Sequence, residues 1–238
     1  MMMVDADFYE LLSSPFLLLL ILAGLFQATI WLRARLGGSP WINPTLFTTF
    51  GMIGYLLLSN TPYEKFEYAS GFLTFWLQVA VVCLAVPLYL QWERIKKQWL
   101  AIIVSQAVGC ITAIVTGVWL VQWFGGSEQA VLSMVAKSVT TPIAIEVTQN
   151  VGGVVGINAS TVLIAGVVGQ IIGLWFFRVV GVKSHIGKGL AMGTGSHALG
   201  IAALMPFSQR YVAYGTVGLI VNGVMTAFVA PVIVPWLV

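Results

Sequence analysis

The chain has 238 residues, of which 59% are apolar and only 8% charged, and its eleven basic and eight acidic side chains leave a net charge of +3. Ordinary soluble domains carry about 25% charged residues, so the composition excludes a water-soluble enzyme and fits one membrane bundle over residues 1–238. The basic excess lies in short clusters beside apolar runs, which reports membrane orientation and gives no reason to expect nucleic acid as a partner.

Hydropathy outlines eight segments, near 11–32, 44–59, 68–90, 99–124, 129–149, 158–180, 187–206 and 212–236. Asp5, Asp7 and Glu10 precede the first, and Arg33 and Arg35 follow it. A signal peptide has the opposite polarity, so an outside N-terminus and an uncleaved first helix are expected. The second segment is short and stops at the turn-like run Ser59-Asn60-Thr61-Pro62. Glu64, Lys65 and Glu67 follow it, whereas Arg94, Lys96 and Lys97 follow the third. By the positive-inside rule the first and third loops are cytoplasmic and the second is outside. Cys83 and Cys110 sit in apolar runs without metal-ligand spacing, and His185 is loop-like. No metal site and no cofactor are expected.

Residues Lys137–Glu146, KSVTTPIAIE, stand out in the fifth segment. An ionisable group at bilayer depth costs at least about 2.5–3.5 kcal/mol on insertion scales, and Pro142 frees backbone groups that lipid cannot satisfy. Such a stretch belongs where it lines a hydrated cavity. Lys137 either snorkels to an interface or faces that cavity, where Ser138, Thr140 and Thr141 at a half-helix start would help bind an anion. Glu146 is the acidic residue farthest from any expected loop. Buried, it is a proton-coupling candidate; alternatively it forms an internal ion pair or lies exposed at a segment end.

The seventh segment contains Gly193–Gly200, GTGSHALG. Gly193, Gly195 and Gly200 permit a helix break. Ser196 and His197 are candidate solute ligands, with His197 a second proton-exchange candidate; a satisfied structural histidine is the alternative. Asn43 and Asn158 precede segment starts, where N-capping is the ordinary role and lining a central site the other. Asn222, inside an apolar run, is a weaker candidate for an interhelical hydrogen bond. The glycines at 51, 54, 166, 169 and 173 point to close helix packing.

Residues 37–54 and 152–169 align at an offset of 115 with six identities, including Asn43 with Asn158. The same offset lays Gln78–Leu84 over Gly193–Leu199. Two halves, 11–124 and 126–238, would then account for the chain. The basic cluster Arg178, Lys183 and Lys188 corresponds to the acidic loop of the first half, so the halves read as inverted. Eight full crossings would put that cluster outside. One segment between 99 and 157 therefore fails to cross, with 137–146 the best candidate, and a second break near Gly193–Gly200 accommodates Arg210. The expected fold is all-α and polytopic, with two inverted repeats and broken or re-entrant helices. Secondary transporters share that architecture, with a midplane solute site; channels use it too. No phosphate loop, nucleophile triad or GxSxG spacing appears, and no enzymatic activity is expected.

Three blocks carry a family resemblance: KSVTTPIAIE, GTGSHALG, and Asn43–Leu46 (NPTL) with Leu84–Tyr89 (LAVPLY). Together they resemble the LrgB/CidB family of bacterial membrane proteins, which is related to the plastid glycolate/glycerate translocator. The resemblance runs from about residue 15 to the C-terminus. It implies a multi-pass protein of the bacterial inner (cytoplasmic) membrane, in a homo- or hetero-oligomer, working with a small LrgA/CidA-type membrane partner. It also implies one of two roles. One is carriage of a small organic anion, a monocarboxylate such as pyruvate, glycolate or glycerate. The other is holin- or antiholin-like modulation of murein hydrolase activity and autolysis. The repeat and polar breaks favour the carrier. Two departures from the family pattern stand out: Val79 replaces a usual proline, and Ala203 replaces the arginine of a usual Gly-Thr-Ala-Arg continuation.

Overall fold

The computed structural model describes residues 10–39, 42–83, 85–90 and 92–238. They form helices α1 (Pro15–Arg35), α2 (Pro44–Leu58), α3 (Tyr63–Cys83), α4 (Ala85–Leu90), α5 (Trp92–Ile95), α6 (Trp99–Trp123), α7 (Glu128–Met134), α8 (Thr141–Val151), α9 (Val155–Val179), α10 (His185–Leu204) and α11 (Gln209–Ile233), with a closing 3₁₀ turn at Val234–Trp236. No strand occurs among the described residues. Among the described residues, four helices are long and apolar enough to cross a membrane: α1, α6, α9 and α11 with its 3₁₀ turn. At 1.5 Å per residue the 25 residues of α6 or α9 reach about 37 Å, more than the roughly 30 Å of hydrocarbon. The 15 residues of α2 reach only about 22 Å. The expected break over Gln78–Leu84 ends on Leu84, which lies outside the described residues; α3 stops at Cys83 and α4 begins at Ala85.

The chain divides into two compact units, 1–81 and 82–238. In the first, Ser14 and Asn43 cap α1 and α2, each followed by a proline in the first turn, where the missing N–H costs nothing. Leu18, Met52 and Ala69 form its small core. Tyr55 donates to the Leu12 carbonyl at 2.8 Å, and Lys65 Nζ to Ser13 Oγ at 2.8 Å.

The second unit is organised by four helices of different polarity. Cys110 lies against Thr226, and Gln122 donates to the Leu237 carbonyl, so α6 and α11 run side by side in the same direction. α9 runs the other way along α10. Gly173 abuts Met192, Gly169 abuts Ser196 and Gly166 abuts His197.

Both interrupted segments fold back on themselves within this frame. α7 and α8 are separated by the turn 135–140. By Val154 the chain has returned to the level of Ser133: the Val154 amide donates to Ser133 Oγ at 2.8 Å, and Asn158 Nδ2 to the Ser133 carbonyl at 2.9 Å. In α10 the reversal falls at His197, whose φ of 42° and ψ of −138° leave helical space. A Cβ on Gly200 would lie 3.0 Å from the Met192 carbonyl oxygen, whereas eight residues of straight helix span about 12 Å. Leu204 accordingly packs back on Met192 and Phe177. The break therefore sits on the histidine, while Gly193, Gly195 and Gly200 remain helical. Gly193 instead admits the backbone of α11, since a Cβ there would collide with the Gly215 carbonyl; Gly195 faces open space.

Those two glycines give a paired prediction. Gly193→Ala should lower the thermal unfolding midpoint in detergent by an amount equivalent to about 1–3 kcal/mol. Gly195→Ala should leave it unchanged or raise it, as alanine is the better helix former.

Candidate functional site

The two hairpins enter the second unit from opposite ends, and their tips meet halfway along α6, α9 and α11. Asn222, near the middle of α11, is fully buried. Its Nδ2 donates to the Ser138 carbonyl in the first tip at 3.2 Å and to the Thr194 carbonyl beside the second at 3.3 Å. One carboxamide thus holds both breaks. Thr194 Oγ1 continues the network to Gln106 Oε1 on α6 at 2.6 Å. Gln106 is also buried.

Lys137 sits in the first tip, half-buried, and its ammonium donates to the Ala113 carbonyl of α6. Gly117, one helical turn on, makes this possible, for a Cβ there would lie 2.7 Å from Lys137 Nζ. His197 repeats the device on α9. Its Nε2 donates to the Val162 carbonyl at 2.9 Å, and a Cβ on Gly166 would lie 2.6 Å from the ring. In both cases the carbonyl of residue i is approached over a glycine at i+4, the position whose side chain would otherwise cover it. Lys137 and His197 are therefore anchored on different helices, one on each side of the Asn222 bridge.

Ser138 and Thr140 are buried and Thr141 is half-buried. Thr140 is the N-cap of α8 but makes no capping hydrogen bond with its side chain, and its buried hydroxyl has no partner. Pro142 falls in the first turn of α8, where it is well tolerated. The first turn of this 11-residue half-helix thus follows the tip that carries Lys137, with a buried hydroxyl and first-turn backbone N–H groups. Ser196 is buried against Gly169.

The remaining candidates lie elsewhere. Asn43 belongs to the first unit, where its Oδ1 accepts from Thr45 N at 3.0 Å and Leu46 N at 3.3 Å as an N-cap. Asn158 is no cap: α9 starts one turn earlier, with Val154 as its N-cap, and Asn158 is a buried tie from α9 to Ser133. Its Oδ1 is unpartnered. Glu146 is exposed on α8, and among the described residues the one salt bridge is Lys96–Glu93. Ala203 packs with Phe177, Met192 and Leu204 on the return arm, away from the tips. No group of three or more metal-ligating side chains occurs among the described residues.

Sequence reasoning gave Asn222 too little weight and missed Gln106 and Ser133. An amide within an apolar run was the one available signal for Asn222; its partners lie 84 and 28 residues away.

Residues 23–236 match the model of the LrgB-like family. The chain belongs to that family. Across 93% of its length it is 32% identical to a Bacillus subtilis protein called uncharacterized protein YxaC, covering 94% of that protein. It is 30% identical to the holin-like protein CidB of Staphylococcus epidermidis, over 82% of this chain and 86% of that one. It is 32% identical to the antiholin-like protein LrgB of Bacillus mycoides, over 78% and 80% respectively. No solved structure gives a significant match. Family membership and the four long apolar helices make this a multi-pass membrane protein.

Removing the Asn222 bridge should loosen both tips at once. Asn222→Leu is expected to cost about 1–3 kcal/mol, given an average near 0.6 kcal/mol per interhelical hydrogen bond in membranes plus the two carbonyls left unsatisfied. Hydrogen exchange should then rise around both Ser138 and Thr194; a rise at only one of them would contradict a shared clamp.

Proposed function

We propose that this LrgB-like protein translocates a small organic anion through the site between the two hairpin tips. The observation that carries the reading is the cation of Lys137. It lies half-buried midway along membrane-spanning helices, with a backbone carbonyl as its partner and no carboxylate paired to it among the described residues. An ion held in a low-dielectric setting without a counter-charge is costly. A carboxylate bound to Lys137 Nζ, the Thr140 hydroxyl and the first-turn amides of α8 supplies that charge. Ser138, Thr141, Ser196 and His197 complete the lining, and a monocarboxylate such as pyruvate, glycolate or glycerate fits its single cation. His197 is the proton-coupling candidate within the site; Glu146 would need a covering surface to play that part.

The carrier alternates access by moving one tip against the other. The inverted halves 11–124 and 126–238, an LrgA/CidA-type partner and placement in the bacterial inner membrane belong to the same proposal. The rival reading, modulation of murein hydrolases, is favoured by the relatives named holin-like CidB and antiholin-like LrgB. It requires neither the Lys137 tether nor the Asn222 bridge.

Uptake of labelled pyruvate or glycolate into proteoliposomes, with and without a small partner protein, is the test. Saturable uptake is expected, falling roughly 10- to 100-fold in Lys137→Gln, as befits loss of a charged hydrogen bond worth about 1.5–3 kcal/mol, in protein that still melts cooperatively. No saturable uptake under either condition would sink the carrier. Dye leakage or altered autolysis that survives both Lys137→Ala and His197→Ala would favour the rival.

A further inference from the structure

Two clefts open at the end of the second unit from which α10 and α11 start. One, of about 480 Å³, is lined by Lys97, His185 and Arg210 among others. The other, of about 440 Å³, is lined by Arg178, Lys183 and Lys188. They flank the His185–Tyr211 stack, whose ring centroids are 4.8 Å apart. Among the described residues no acidic side chain lines either cleft. The N-termini of α6, α10 and α11 converge there and add the positive ends of their dipoles.

A third cleft, of about 440 Å³, lies deeper between α6 and α10; its outermost α10 residue, Gly187, follows Ile186 of the first cleft in the chain. Its walls are cut down to small side chains at four-residue spacing: Ser105, Gly109 and Ala113 on α6, and Gly187, Ala191 and Gly195 on α10. Gln106 and Thr194 supply polar atoms along it. Ala113, at its inner end, is the residue whose carbonyl holds the Lys137 ammonium. From Gln98, in the basic cleft, to Ala113 the helical rise is about 22 Å, so the inner end of this groove lies at the depth of the hairpin tips.

We infer that this groove is the route by which the anion reaches the tips, and that Lys97, His185 and Arg210 form an outer anion-capture site at its mouth. The inference rests on the anion-carrier reading. A same-sign cleft with low-dielectric walls raises the local anion concentration and the on-rate by 10- to 1,000-fold, and salt weakens it. The small residues leave the passage open, and the hydroxyl and amide groups give a carboxylate stations on the way.

The test uses Ala191→Cys, on the exposed groove wall, in protein carrying Cys83→Ser and Cys110→Ser. The purified protein is treated in detergent with a sulfonate-bearing or a trimethylammonium-bearing methanethiosulfonate, and modification is timed by intact mass. The sulfonate should react on the order of 10-fold faster at low salt. That preference should vanish in Lys97→Gln/Arg210→Gln and shrink at about 0.5 M salt, where the screening length is roughly 4–5 Å. Val108→Cys, exposed on α6 outside the groove, should stay unmodified within the micelle. No modification at position 191, equal rates with both reagents, or equal reactivity at position 108 overturns the route. If the charge preference holds but wild-type proteoliposomes show no saturable uptake, the anion route stands and the carrier reading falls. Saturable uptake with an inert Ala191→Cys rejects the route and leaves the carrier.

Discussion

The second unit depends on a constraint that hydrocarbon imposes: a helix broken inside the bilayer must find partners for its backbone carbonyls within the protein. Asn222 meets that demand for both breaks at once. Its amide takes the carbonyls of Ser138 and Thr194, and its complete burial keeps water from competing. Because one side chain serves two hairpins, their tips are held in register with each other and with α11. The polar side chains of the site inherit their positions from that register.

Glycine plays a second, separate part. A helix carbonyl has two lone pairs, and its own i+4 amide uses one. Gly117 and Gly166 uncover the other at Ala113 and Val162, where Lys137 and His197 bond. The ammonium and imidazole thus rest on helices whose ladders stay intact. Either group can leave its carbonyl for a ligand without unravelling a turn, so exchange of partners is cheap compared with breaking an ion pair in the same place.

Much of this was legible in the sequence. Lys137, Pro142 and the hydroxyl run marked the first break because they contradict the apolar pattern around them. GTGSHALG marked the second break. Its pivot was read as the glycines, yet it falls on His197, because Gly193 is needed for backbone approach to α11 and the imidazole bond to Val162 holds the unusual φ. Asn158 resembled a cap by its place before an apolar run, but α9 begins a turn earlier and its amide ties down Ser133. Local pattern cannot announce a partner 25 residues away. The pairing of Asn222 with two distant carbonyls was hidden for the same reason.

The place of Asn222 in the chain bears on how the protein is made. Synthesis runs from the N-terminus, so both hairpins leave the ribosome before α11 does. Until Asn222 arrives, the carbonyls of Ser138 and Thr194 lack the partner they have in the finished fold. The two hairpins are therefore committed to the bilayer in order but locked together only at the end, by the last long helix. Assembly of this unit is a closing step performed by α11, and a chain arrested before residue 222 would hold every element of the tips without the means to join them.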